Sequence, residues 1–199
     1  MPSLTSLTHL FFAVPVLAAS ASSTRVIEIY IPPVTNQTMT LIVMEAEGTA
    51  DEIFSSIGVT LKWRAARTKD TACSADPMHR TISVAFSWST QPDFHPDAMA
   101  YSHPFAESGP CITVFMDRLD PMAPSNPVTA AVLLGHVFAH EVAHILTGNG
   151  RHSATGVLKS HWSNEEIRAM PWRYFRFTDD DKRLILNAIS EGNRSQRSR

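Results

Sequence analysis

The chain has 199 residues, 44% of them hydrophobic and 18% charged, which is enough apolar material for one ordinary globular core and too much for intrinsic disorder. Seventeen Lys and Arg against 19 Asp and Glu leave a formal net charge of −2, so there is no electrostatic footprint for nucleic acid or an anionic membrane. Beyond the N-terminus no stretch approaches about 18 consecutive apolar residues, and no stable membrane insertion is expected.

Residues 7–21 (LTHLFFAVPVLAASA) are apolar apart from His9 and end in the small-x-small pattern Ala19, Ser20, Ala21. That is the shape of a secretory signal, although its leading segment carries no Lys or Arg. Pro15 argues against a regular helix or central strand here. Residues 1–21 are therefore read as a signal peptide, residues 22–192 as one domain and residues 193–199 as a frayed, polar basic tail. A secreted or periplasmic protein is expected.

Residues 26–31 (VIEIYI) alternate as a strand and stop at Pro32 and Pro33. Residues 41–48 are ambiguous. From Thr49 a short helix is expected, with apolar Ile53, Phe54 and Ile57 and a closing Gly58. Residues 59–63, 82–88 (ISVAFSW) and 111–116 (CITVFM) have strand patterns, and residues 98–104 add a short edge strand before Gly109 and Pro110 turn the chain. After Pro127 the period becomes helical, and residues 128–146 (VTAAVLLGHVFAHEVAHIL) are apolar enough to form a central helix buried on most sides. A membrane span is the competing reading, which Glu141 and three histidines in the run make improbable. A Gly-rich loop follows, then a short helix over 164–170 and a last helix from about Asp179. Thr178 and Asp181 have capping-box spacing at its start, and Gly192 is read as its end.

The chemistry is concentrated in HEVAH, residues 140–144. Histidines at i and i+4 share a helix face about 6 Å apart, so both can ligate one Zn²⁺ while Glu141 reaches a metal-bound water. Nine His and nine Glu in this length give only about 0.02 accidental matches to the pattern. A catalytic zinc takes three protein ligands. His152 is chosen as the third, because the intervening ILTGNGR contains Gly148 and Gly150, which let the helix end and the chain fold back. Glu165 or Glu166 on the next helix is the alternative, with His161 behind them. His136 is one turn before His140, but a straight helix cannot bring i, i+4 and i+8 to one small ion, so it is assigned to the core or to support of a ligand.

HEVAHILTGNGRH resembles the metzincin branch of the zincin metallopeptidases, whose run is H-E-x-x-H-x-x-G-x-x-H. Gly148 stands one place late here and His152 two. The longer stretch HEVAHILTGNGRHSATGVLKSHW is also similar to uncharacterised, predicted exported bacterial zincins. The resemblance implies an α+β, zincin-like fold, with a mixed sheet of four to five strands packed on a long active-site helix and a smaller helical C-terminal part. It also implies a zinc-dependent peptidase acting on a peptide or protein substrate, an endopeptidase rather than an exopeptidase, with Glu141 as general base and His140, His144 and His152 on the metal. The edge strand near Ala100 and Tyr101 would receive the substrate backbone. Where the similar sequences carry a methionine after the turn, this chain has Leu158. Met170 is a second candidate for that place, but core packing is favoured for it. A non-catalytic zinc-binding module of the same fold is the second reading, and an intact Glu141 favours the enzyme.

Other residues are given no role. The four tryptophans read as core or rim packing. His95, His103, Asp93 and Asp97 read as a solvated loop rather than a second cation site. Cys73 and Cys111 fit either a single disulfide or free thiols. Asn36 and Asn193 begin glycosylation sequons.

Overall fold

The computed structural model describes residues 25–66, 81–91, 93, 96, 98–119, 121–122 and 125–197. The signal-peptide reading, Cys73, His95 and Asp97 lie outside the described residues. β1 (Arg25–Ile31) leads into α1 (Gln37–Ser55), β2 (Val59–Ala65), β3 (Thr81–Ser87), the short β4 (Ala100–His103) and β5 (Cys111–Phe115). One helical turn, α2 (Met116–Leu119), precedes the long α3 (Pro127–Thr147), and α4 (Asn164–Ala169) and α5 (Asp179–Arg197) complete the chain.

The five strands form one mixed sheet in the order β2-β1-β3-β5-β4. β1, β2, β3 and β5 are parallel, and β4 runs antiparallel to β5 at the edge, with Ala100 opposite Val114 and Ser102 opposite Ile112. Alternation explains the faces. Ile27, Ile29 and Ile31 of β1 are buried while Glu28 and Tyr30 between them are only partly covered, so one sheet face carries the helical layer.

α1 is the largest departure from the sequence expectation. The helix does not start at Thr49 but at Gln37, and it takes in the ambiguous residues 41–48. Its buried positions, Met39, Ile42, Val43, Ala46, Ala50, Ile53 and Phe54, keep the three-and-four spacing of an amphipathic helix throughout. Asn36 supplies the start, its side-chain oxygen accepting from the Met39 N–H at 3.1 Å. Gly48 resembles a stop signal, but it faces open space and is tolerated.

α3 packs along α1 and reaches β4 and β5. The two helices approach closely at Gly135, where an added Cβ would fall 2.4 Å from Thr49 Cβ and 2.8 Å from Ala46 O. Every residue of α3 from Thr129 to His144 is buried. The helix is long and apolar enough to cross a membrane by composition, yet 89% of that window is buried inside the protein. At the other end of the chain α5 begins with the expected reciprocal cap: Thr178 N–H donates to Asp181 Oδ2 at 3.1 Å, and Asp181 N–H to Thr178 Oγ1 at 3.2 Å. It does not close at Gly192 but continues to Arg197, because Gly weakens a helix interior without ending it. Met116 likewise leaves its expected strand and opens α2. Cys111 is fully buried and disulfide-bonded.

Candidate metal centre

α3 carries His136, His140, Glu141 and His144, and its register alone puts His140 and His144 on one face. The helix ends at Gly148, a left-handed C-cap with φ 64° whose N–H donates to His144 O at 2.9 Å. The chain turns back there and brings His152 to the same place. The candidate ligand atoms of His140, His144 and His152 all lie within 4.8 Å of one another. Their rings form a triangle with centroids 4.6, 5.2 and 5.0 Å apart.

Two hydrogen bonds fix the chemistry of this triangle. His140 Nδ1 lies 2.8 Å from Val157 O, and His144 Nδ1 lies 2.8 Å from Asn149 O. A carbonyl only accepts, so each Nδ1 carries the proton and each Nε2 is left with its lone pair. Those two Nε2 atoms are 2.9 Å apart. Two facing lone pairs at that distance repel unless a cation lies between them. A proton is a poor candidate, because burial foremost, together with the neighbouring His144, holds His140 down at about 3. Burial also holds His144 and His152 below the usual imidazole range. Zinc bonds imidazole nitrogen at about 2.0–2.1 Å and takes neutral, lone-pair nitrogen with its other N–H on a carbonyl. The residues present fit such an ion.

Glu141 is buried beside His140, and its carboxyl is pushed up to about 7, chiefly by burial. It accepts from the hydroxyl and main-chain N–H of Ser102, which hold it lower than burial alone would. Ser102 belongs to the edge strand. Because Phe115 N–H donates to Met99 O, the alternation of an antiparallel pair turns the main-chain groups of Ala100 and Ser102 to the outer side of the described sheet, where the Ser102 N–H meets Glu141. Phe105, just after β4, is 82% exposed, and its Cζ lies 3.1 Å from where a Cβ on Gly148 would be.

The turn that presents Val157 O is closed by Ser153 N–H on Leu158 O at 2.7 Å and by Val157 N–H on Arg176 O at 3.2 Å. Gly156 makes it possible: φ is 81°, and a Cβ would meet Arg176 O at 2.3 Å. Leu158, in the place of the expected methionine, is buried in this turn, and Met170 is fully buried in the core.

The remaining candidates fall away from the cluster. Glu166 caps α4 through Ser163 and receives Lys159 Nζ at 2.7 Å on both oxygens; Glu165 lies in the same first turn. His161 is exposed. His136 is fully buried, donating from Nδ1 to Val132 O at 2.7 Å and accepting at Nε2 from Phe175 N–H at 3.0 Å. With both nitrogens occupied it ties α3 to the segment before α5. His103 meets Tyr101 edge to face, with centroids 4.6 Å apart, rather than joining the cluster. The sequence pattern did not single out Ser102, Ser153 or Phe105, which are brought to the site only by the fold.

No protein-family model matches the chain, and no curated protein does. Among solved structures it is similar to archaemetzincin from Methanopyrus kandleri, with 13% identity, 86% of this chain and 99% of that chain covered, and a TM-score of 0.48.

Proposed function

We propose that this chain is a zinc-dependent peptidase that hydrolyses internal peptide bonds, with His140, His144 and His152 as metal ligands and Glu141 as general base. The observation that carries the reading is the convergence of two Nε2 lone pairs 2.9 Å apart, with both Nδ1 protons committed to carbonyls and a third imidazole alongside. A zinc ion held there would acidify the attacking water and polarise the scissile carbonyl.

The chain's own residues supply the rest. Glu141, one residue from His140 and shielded from solvent, takes the proton of the attacking water and returns it to the departing amine. Its burial raises its basicity toward neutral pH, and the Ser102 donors hold the carboxylate in place. The outer edge of β4, unpaired by any strand among the described residues, lies next to α3, and the outward main-chain groups around Ala100 pair with an extended substrate backbone as an added strand. An open edge accepts the middle of a chain, which favours endopeptidase action. Export is part of the reading. The apolar segment 7–21 and the disulfide-bonded Cys111 both support an oxidising, extracytoplasmic location.

The test is zinc content together with peptide hydrolysis for the parent and Glu141→Gln. One zinc per chain in both, with hydrolysis lost in the variant, is the expected result. Zinc in both with equal turnover would remove Glu141 as the base, zinc in the parent without turnover would leave a non-catalytic zinc-binding module, and a parent without zinc would end the metal reading.

A further inference from the structure

His152 differs from its two neighbours in how it is held. His140 and His144 are buried on one helix with each ring anchored by a carbonyl. His152 is exposed on a loop, and among the described residues no carbonyl takes up its ring in that way. Its position must therefore come from the backbone on either side, and both flanking residues point to one group. Asp181 of α5, 0% exposed, accepts from Ser153 Oγ on Oδ1 at 2.5 Å, and the same oxygen lies 3.7 Å from Arg151 Nη1.

We propose that Asp181 is a positioning residue for the third metal ligand, gripping residues 151 and 153 so that the His152 imidazole meets those of α3. This rests on the metal reading above. Capping α5 employs only Oδ2, which accepts the Thr178 N–H. A cap of that kind works at a solvated helix end, whereas complete burial of a carboxylate is costly unless both oxygens are satisfied. The second oxygen is satisfied by the His152 loop. Ser153 is also the node between two of the ligands: its Oγ reaches Asp181 while its N–H closes the turn that offers Val157 O to His140. Removing the carboxylate frees both flanks of His152 while leaving the α3 pair in register.

Zinc affinity of the metal-stripped full chain, measured by chelator competition, tests this in the parent, Asp181→Asn, Ser153→Ala, His152→Ala and the two doubles that combine His152→Ala with either substitution. Asp181→Asn and Ser153→Ala are each expected to weaken zinc about 10- to 100-fold, the range for residues that orient a ligand from behind. In the His152→Ala background each should cost less than about two-fold, because its effect passes through a ligand already gone. The cobalt-substituted Asp181→Asn protein should show the absorption bands of cobalt-loaded His152→Ala rather than those of the parent. Unchanged zinc affinity in both single variants, with zinc bound by the parent, would overturn the proposal alone; so would an equal loss with and without His152, which marks a general loosening of the fold. A parent that binds no zinc would overturn the metal reading and this proposal with it. If Asp181→Asn does not fold, Ser153→Ala, which leaves the α5 cap in place, decides the question by the same comparison.

Discussion

The helix-borne half of the site and the loop-borne half are built by different forces. His140, Glu141 and His144 lie within little more than one turn of a helix buried against α1 and the sheet, so their relative positions follow from helical geometry and survive any change that leaves α3 packed. His152 and Val157 O sit on a segment with little regular structure, and they are placed by hydrogen bonds to Asp181, Leu158 and Arg176. The first half is robust to loosening at its edges. The second depends on contacts from residues distant in sequence, and substitutions there should act on the metal before they act on the core.

The largest effect should come from the helix. Glu141→Gln is expected to keep zinc and lower peptide hydrolysis by about 10²–10⁴-fold, the usual weight of a general base; steady-state turnover alongside metal analysis checks it, and retained turnover would break the mechanism. His144→Ala should abolish stoichiometric zinc, whereas His152→Ala should leave weaker binding to the α3 pair. Equal loss in both would show the two halves to be no different.

Next in size is Gly156→Ala. A non-glycine residue in left-handed backbone costs about 1–3 kcal/mol, and the Cβ also meets Arg176 O at 2.3 Å. The variant should melt earlier and lose zinc, while Gly135→Ala, which crowds Thr49 in the α1–α3 contact, should melt earlier and, once folded, bind zinc as the parent does. Thermal melts and chelator competition on both variants sharpen the contrast.

A smaller effect follows from pH in the metal-free protein. His140 is held down from 6.5 to about 3, so the unfolded chain binds more protons between those values and stability falls as pH drops through that window. Glu141 is pushed up from 4.5 to about 7, so the folded chain binds more protons there and stability falls as pH rises from 4.5 to 7. Glu141→Gln removes only the second effect. Its melting temperature relative to the parent should therefore be higher above pH 7 than below pH 4.5, and the opposite trend would contradict the buried carboxyl. The smallest change expected is Trp63→Phe, which removes the bond from Nε1 to Asp51 Oδ1 at 2.9 Å. About 1 kcal/mol of stability should go, with zinc binding untouched, because the bond removed joins β2 to α1 and involves none of the three histidines.

Much of this was legible in the sequence wherever a pattern is local. The strands of the sheet show as alternation or, at residues 111–116, as a short apolar run, α3 as a long apolar run after Pro127, and His140 and His144 as a spacing that only a helix makes useful. The α5 cap was read from Thr178 and Asp181, which are three residues apart. α1 is only half legible for a related reason: residues 41–48 read as ambiguous, and it is the packing of Met39, Ile42 and Val43 against the core that makes them helical.

The composition and HEVAH by themselves determined one apolar core, a buried helix and a pair of imidazoles on one face, because these depend on residue type and on the pitch of the helix. The tertiary structure alone decided that the strands take the order β2-β1-β3-β5-β4, that Ser102 reaches Glu141, and that the ring of His152, not a carboxylate of Glu165 or Glu166, stands beside those of His140 and His144. Asp181 illustrates the limit. Its bond to Thr178 spans three residues and is written in the sequence, whereas its bond to Ser153 spans 28, and no local preference encodes a contact whose formation waits on the packing of everything between.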